Sequence, residues 1–277
     1  MAEAPMNVCM DFRYGKIMFP RLDEYIGRSL MLYGEYSEEE AAFFDSFIAP
    51  GDTVVEVGAN LGAHTVHLAQ LAGPTGRVYA FEPQRLMFQL LCGNMAINSI
   101  TNVHCLQKCV GDAPGKMRVP VLDPAVAHNW GGLSLLDVTE GEEVPRITLD
   151  SLHLTRCDFL KIDVEGMEPH VLRGATHLLE TFHPVVYTEA LPDMPSIRVQ
   201  FEILRQLGYR IYHHCPLLFN PDNYRGCKDD VFTRLVPGPD GTPVPHPIAS
   251  FNWVCVHPAR TQLDGLPEVL DPDHFPG

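Results

Sequence analysis

No run of apolar residues in this 277-residue chain approaches the length of a membrane span, and the start, MAEAPMNVCMDFRYGK, has no basic stretch followed by an apolar one. A membrane partner is not expected. A disulfide framework is also missing: the 8 cysteines fall at Cys9, Cys92, Cys105, Cys109, Cys157, Cys215, Cys227 and Cys255, with no CxxC pair. Most lie in apolar stretches, where a reduced cysteine acts as a small hydrophobe, so a reducing, cytoplasmic setting is predicted. Positive charge is scarce, with Lys+Arg 20 against Asp+Glu 35, a net charge of -15, and basic residues scattered singly. Such a field repels a phosphate backbone and excludes nucleic acid as an expected partner. There is no internal repeat or low-complexity tract. None of the 13 histidines forms an H-x-x-x-H pair sharing a helix face with an acid, the pattern many metalloenzymes require.

What the chain does contain is alternation. Short β-branched runs at 53–57, 77–81, 103–107, 158–162, 185–189, 209–213 and 253–256 are separated by segments with helical spacing of apolar residues. This predicts an α/β, Rossmann-like fold: a seven-stranded, mostly parallel sheet with helices on both faces. Helices are expected over 83–98 (Met87, Leu91, Met95), over 168–182 (Val171, Leu172, Leu178, Leu179) and around Ile197, Phe201 and Leu204, the last ended by Gly208. Ser37 and Glu40 have capping-box spacing ahead of a helix bearing Ala41, Phe44 and Ile48. The expected organisation is an N-terminal segment and helix over 1–52, a core domain over 53–260 and an irregular tail over 261–277. A small β insertion at about 111–150 is expected to use 117–121, 133–136 and 144–148, and a Pro/Gly-rich loop is expected over 236–250.

The chemistry is concentrated where the first of these strands runs into Glu56-Val57-Gly58-Ala59-Asn60-Leu61-Gly62 and a helical pattern resumes. Glycines between strand and helix let the backbone turn tightly and approach a ligand. The second strand ends in Phe81-Glu82-Pro83, and a carboxylate at that edge can accept both hydroxyls of a ribose. Dinucleotide sites favour G-x-G-x-x-G, whose middle glycine admits a pyrophosphate, but here that position is Asn60. A turn with Glu56 inside it and no central glycine suits a nucleoside cofactor with a cationic amino-acid end and no phosphate, S-adenosylmethionine. A nicotinamide-dependent oxidoreductase is the alternative, and a scaffold with a degenerate site is a third reading that the intact Glu56, Gly58, Gly62 and Glu82 set opposes.

The blocks GDTVVEVGANLGAHTVHLAQ, VYAFEPQ, ITLDSL and DFLKIDVEGMEPHVLRGA, in that order and spacing, resemble the FkbM family of methyltransferases over roughly residues 33–190. The resemblance implies a class I methyltransferase fold and S-adenosylmethionine held by Glu56, Gly58, Asn60, Gly62 and Glu82. It also implies methylation of a hydroxyl on a sugar, glycan or other natural product, with methylation of nitrogen as the alternative.

In a doubly wound sheet the ligand lies over the carboxyl ends of the strands, which places Asp163 and Glu189 at the pocket, with Glu165 two residues beyond Asp163. These three are the candidate catalytic residues, and Asp163 is also a candidate for the cofactor's ammonium group. Either Asp163 or Glu189 can act as general base, or the acids can hold a divalent cation; the metal-free arrangement is favoured. Glu168 reads as a helix-start acid. Candidate acceptor contacts are Asn129 and His128, in and beside Asn129-Trp130-Gly131-Gly132, and Tyr224 in the loop Asn220-Pro221-Asp222-Asn223-Tyr224-Arg225. The expected partner is a small-molecule or glycan acceptor, and homo-oligomer formation is left open.

Overall fold

A computed structural model describes residues 6–192, 195–238 and 241–275. The first described elements are a hairpin of β1 (Asn7–Phe12) and β2 (Gly15–Pro20), then α1 (Ile26–Tyr33) and α2 (Glu38–Phe44). The alternation begins with β3 (Thr53–Val57), α3 (Ala63–Ala72), β4 (Arg77–Phe81), α4 (Arg85–Ile97) and β5 (Val103–Leu106). Short strands β6 (Cys109–Val110), β7 (Gly115–Val119) and β8 (Glu142–Ile147) form a small separate sheet. After it come β9 (Phe159–Ile162), α5 (Glu168–Arg173), α6 (Thr176–Phe182), β10 (Val185–Glu189), α7 (Ser196–Gln206) and β11 (Arg210–His214). A hairpin of β12 (Thr233–Pro237) and β13 (Pro243–Pro247) precedes β14 (Asn252–Val256).

The seven expected strands assemble into one sheet in the order β11-β14-β10-β9-β3-β4-β5. Only β14 runs against its neighbours. The inner strands are apolar on both faces because helices cover both. On one face Val55, Val57, Leu160, Ile162 and Val186 pack with α5, α6 and α7. On the other, Val54, Val78, Phe159, Tyr187 and Val254 pack with Phe44, Ile48 and Leu68 of the α2 and α3 region. Among the described residues no helix is long and apolar enough to cross a membrane.

Several local expectations are corrected. The helix expected over 168–182 is two helices, because a side chain at Gly174 would stand 2.0 Å from the Gly111 carbonyl and the chain breaks where these backbones meet. Residues 133–136 alternate but form no strand, since β7 and β8 pair with each other and β6 takes the other edge of β8. The loop expected over 236–250 contains β13 and the end of β12, with residues 239–240 outside the described ones. Within 261–277, Val269 N–H donates to the Ile211 carbonyl at 2.8 Å and Glu268 bridges to Tyr212, so this stretch lies along the β11 edge; residues 276–277 lie outside the described ones.

Over 1–52 the hairpin was not anticipated; residues 1–5 lie outside the described ones. Phe12, Ile17 and Phe19 of the hairpin pack on Leu91 and Met95 of α4. Asn94 of α4 and Asn98, which caps its C-terminus, serve as its partner. Asn94 accepts the Met18 N–H at 2.6 Å and donates to the Met18 carbonyl at 2.9 Å, and Asn98 does the same for Lys16 at 2.8 and 2.7 Å. Asn94 also donates to the Leu61 carbonyl at 2.8 Å, joining hairpin, helix and the turn after β3.

The start of α6 depends on Asp150, whose carboxylate accepts the N–H groups of His177 and Leu178 at 3.0 and 2.9 Å. Asp150→Ala is expected to cost about 1 kcal/mol, as loss of a helix-start acceptor does. Thermal unfolding should show a melting temperature roughly 2–4 °C lower. An unchanged value would mean that water replaces the carboxylate at no cost.

Candidate active site

The turn after β3 is shaped by the protein's own packing. Gly58, Asn60 and Gly62 have φ of 88, 51 and 90°, a region glycine enters freely and asparagine tolerates. A side-chain carbon on Gly58 would stand 1.8 Å from the Asp163 carbonyl oxygen, and one on Gly62 would stand 2.8 Å from Cδ1 of Leu91. The expectation that Gly62 admits a ligand is therefore corrected. Gly58 lines a cavity at the carboxyl ends of the strands, but its missing side chain lets β3 and β9 converge; Gly62 does not line the cavity.

Glu82 locks the other side of this turn. Its Oε2 accepts the Asn60 N–H and its Oε1 the Gln84 N–H, both at 2.8 Å. Burial raises its pKa to about 7 although both amides act the other way. Gly58 and Ala59 N–H donate to the Phe81 carbonyl at 3.0 and 2.9 Å, so β3 and β4 present one continuous rim.

The sheet face below the cavity carries a row of polar residues set by strand register. Glu56 pairs with Lys161 across β3 and β9, Lys161 with Tyr187 across β9 and β10, and Glu189 with Asn252 across β10 and β14. Glu56 and Lys161 are 1% and 2% exposed, so their charges are removed from water. Lys161 Nζ lies 2.9 Å from Asp163 Oδ2 and 3.9 Å from Glu40 Oε1. Burial alone would lower the lysine's pKa, but Asp163, Glu40 and Glu56 outweigh it and hold it above its usual value. Glu56 accepts the Thr65 hydroxyl at 2.6 Å, and burial places its pKa at about 7.

Glu40 enters this group instead of closing a capping box. Ser37 has φ of 45° and makes no side-chain bond to the helix backbone; its hydroxyl donates to Glu40 Oε2 at 3.1 Å. The same three-residue spacing thus turns Glu40 toward Lys161, where burial raises its pKa to about 7. His64, 7% exposed beside Glu40, is kept neutral by burial and by Lys161.

Asp163, Glu165 and Glu189 come together at the cavity wall, each offering an oxygen within 4.8 Å of the others. The turn carrying the first two is held by Glu168, whose Oε1 accepts the N–H groups of Val164 and Gly166 at 3.2 and 3.1 Å, so Glu168 is structural. Burial and the neighbouring Asp163 raise Glu165 to about 8, and burial, Asp163 and Glu165 raise Glu189 to about 10. The oxygen-rich group has the composition that a hard cation or an ammonium group would meet.

The cavity gathers Glu56, Gly58, Asn60, Glu82, Asn129, Asp163, Glu165 and Glu189 from the sequence-predicted set. Asn129 Oδ1 accepts the N–H groups of Gly131 and Gly132 at 3.2 and 3.1 Å, folding this turn over Asn60. His128 and Tyr224 do not line the cavity. His128 is exposed and spends its backbone on Glu24 and Leu22. Tyr224 is 52% exposed, and its loop is fixed by buried Glu35, which accepts the Tyr224 N–H at 2.7 Å and the Asn220 amide at 2.8 Å. Sequence reasoning missed Lys161, Glu40, Trp130 and Asn252 as cavity residues. For Lys161 a signal existed: it is the one charge inside the apolar strand Phe159–Ile162.

Carboxyls with raised pKa values bind protons more tightly in the folded chain than in the unfolded one, so stability falls as pH rises from about 4.5 through the folded value. Glu189→Gln removes the largest such burden. Its melting temperature relative to the parent should rise between pH 5 and pH 8; a constant difference would show that Glu189 is not strained by its neighbours. Gly58→Val should destabilise the fold by about 2 kcal/mol or more, because the clash is with backbone. Wild-type denaturant unfolding of that variant would contradict the close approach at Asp163.

A family model described as the methyltransferase FkbM domain matches residues 56–211, more than half of the chain. Solved structures similar to this chain include a precorrin-6y C5,15-methyltransferase from Geobacter metallireducens GS-15, at 12% identity and TM-score 0.49, covering 79% of this chain and 89% of that one. A methyltransferase FkbM from Methylobacillus flagellatus KT matches at 16% identity and TM-score 0.47, covering 84% of this chain and 55% of that one. A SAM-dependent O-methyltransferase from Thermotoga maritima matches at 15% identity and TM-score 0.44, covering 92% and 79%. On the strength of the domain match, which spans the turn after β3, Glu82 and the acids after β9 and β10, this chain belongs to the FkbM-domain family of S-adenosylmethionine-dependent methyltransferases.

Proposed function

We propose that this methyltransferase transfers its methyl group to a hydroxyl of a small-molecule or glycan acceptor, with Glu189 taking the hydroxyl proton. The observation that carries this is a pair of orphaned atoms. Glu189 and Asn252 are register partners on β10 and β14, so their side chains share a face, and both line the cavity. Among the described residues Glu189 Oε2 and Asn252 Nδ2 are buried without a hydrogen-bond partner. One needs a donor and the other an acceptor. A hydroxyl is both: it accepts from the amide and donates to the carboxylate.

The turn fits the cofactor. Glu56 and Glu82 are buried acids facing the cavity, suited to a ribose diol and an ammonium group, and the turn itself presents no cationic side chain for a pyrophosphate. Glu56, Gly58, Asn60 and Glu82 would hold it, with Glu56 at its ammonium end. When bound, the cofactor supplies an electrophilic methyl group on a sulfonium. The chain's task is then to hold the acceptor oxygen in line and to accept its proton as the new bond forms. Glu189 suits that task once the positive charge of a bound cofactor ionises it, because burial and its neighbours then make it a stronger base than a free carboxylate. The same acidic wall opposes a nucleic-acid acceptor.

Glu82→Ala should weaken S-adenosylhomocysteine binding by about 2 kcal/mol, the scale of charge-assisted bonds lost from a buried site. Calorimetry tests it, and an unchanged dissociation constant would remove Glu82 from the cofactor site. Glu189→Gln should lower kcat by about 100-fold or more while leaving S-adenosylhomocysteine affinity unaltered, since the lost interaction belongs to proton transfer. Turnover at the parent rate would exclude Glu189 as base.

A further inference from the structure

Six carboxylates line the cavity, Glu40, Glu56, Glu82, Asp163, Glu165 and Glu189, against two lysines, Lys108 and Lys161. The cofactor, with a sulfonium, an ammonium and a carboxylate, adds a single net positive charge. Lys161 is committed to Asp163 and Glu40. Glu56 and Glu82 face the turn assigned to the cofactor. Among the described residues the Glu165 and Glu189 carboxylates have no ion-pair partner, although both are largely withdrawn from water and near Asp163. Buried acids so placed need a counter-charge. Beside them Asn252, 6% exposed and the register partner of Glu189, lines the same cavity with an unpartnered buried amide, so the wall offers a ligand polar groups of more than one kind.

We propose that the acceptor is an amino alcohol, in which a protonated amine held by Asp163 and Glu165 stands beside the hydroxyl that lies between Glu189 and Asn252. The proposal rests on the hydroxyl reading given above and extends it to the class of acceptor. An ammonium group has three N–H donors, and acceptors about 2.8 Å from its nitrogen stand roughly 4.6 Å apart. Oxygens of Asp163, Glu165 and Glu189 lie within 4.8 Å of one another, so an amine donating to the first two would stand beside a hydroxyl at the third. A divalent cation would meet the Lys161 ammonium already bound to Asp163 at 2.9 Å, with twice the repulsion a monovalent group meets. The amine also directs the chemistry. Protonated and surrounded by carboxylates it has no lone pair to attack with, so the new bond forms at oxygen. The hydroxyl proton passes to Glu189, the bond from methyl carbon to sulfur breaks with its electron pair staying on sulfur, and the amine keeps its charge.

The test is calorimetry on the full chain saturated with S-adenosylhomocysteine, using D-glucosamine, D-galactosamine and trans-2-aminocyclohexanol, each against its N-acetyl derivative. The free amines should bind about tenfold or more tightly than the acetylated forms, the factor expected for one charge-assisted contact. Glu165→Gln should erase that preference while S-adenosylhomocysteine affinity stays within about twofold, which also shows the variant folded. Equal binding of amine and N-acetyl forms, no binding by any amine, or acceptor binding that requires added Mg2+ or Ca2+ would overturn the proposal and leave the hydroxyl reading intact. Failure of S-adenosylhomocysteine itself to bind, or a methyl group found on nitrogen by NMR of the product, would overturn both.

Discussion

Lys161 is the interaction on which the site depends. A lysine in the middle of a central parallel strand, 2% exposed, is tolerable only if its charge is met inside the protein. Register supplies Glu56 from β3, the turn after β9 supplies Asp163, and α2 supplies Glu40. Glu40 and Glu56 are buried and would be driven further toward their neutral forms without the lysine. The ammonium therefore fixes three carboxylates from three separate elements, and removing it would leave a cluster of like charges under the helices. Local choices that look odd in isolation follow from it. The left-handed Ser37 turns its hydroxyl to Glu40 instead of capping α2, and His64 stays neutral because it is buried with a cation nearby.

The rim above this ion cluster is held by backbone contact. Gly58 lets β3 touch the Asp163 carbonyl, Glu82 fastens Asn60 to the end of β4, and Asn94 ties Leu61 to the N-terminal hairpin. None of these links depends on solvent-exposed charge, so salt should loosen them little. The acids thus sit on rigid strand ends, and the segment around Asn129 and Trp130, folded by a local asparagine turn and anchored by Trp130 in the core, lines the same cavity.

The sheet was legible because its signal is local and strong. Strands 53–57, 77–81 and 185–189 agree residue for residue with β3, β4 and β10, since each is a short β-branched run bounded by turn residues. The position of Asp163 and Glu189 on the cavity wall was legible for the same reason, because a known strand end fixes which residues stand at the carboxyl edge of the sheet. What escaped depends on distant partners. Gly174 breaks a helix only because Gly111 arrives there, and nothing within 168–182 announces it. The hairpin at 7–20 is stabilised by side chains of α4 almost eighty residues away, such as Asn94 bonding Met18 (|i−j|=76). His128 and Tyr224 were placed at the acceptor by position in the chain, whereas Glu35 and the Leu22–Glu24 backbone hold their segments elsewhere.

The same distinction explains the acid surplus of the cavity. A protein of net charge -15 could place acids anywhere on its surface at little cost. Here six of them line one cavity, and Glu40, Glu56, Glu82, Glu165 and Glu189 all have raised pKa values. Burial is the largest cause in each case, so the fold itself opposes their ionisation when no ligand is present. A cationic cofactor reverses part of that opposition, and a cationic acceptor would reverse more. Each would favour binding of the other through the shared carboxylates, a reciprocal coupling that needs no movement of the chain. A neutral thioether would lack the sulfonium charge, so this coupling would weaken on transfer and the carboxylates Glu56, Glu82, Glu165 and Glu189 would then hold both products less tightly.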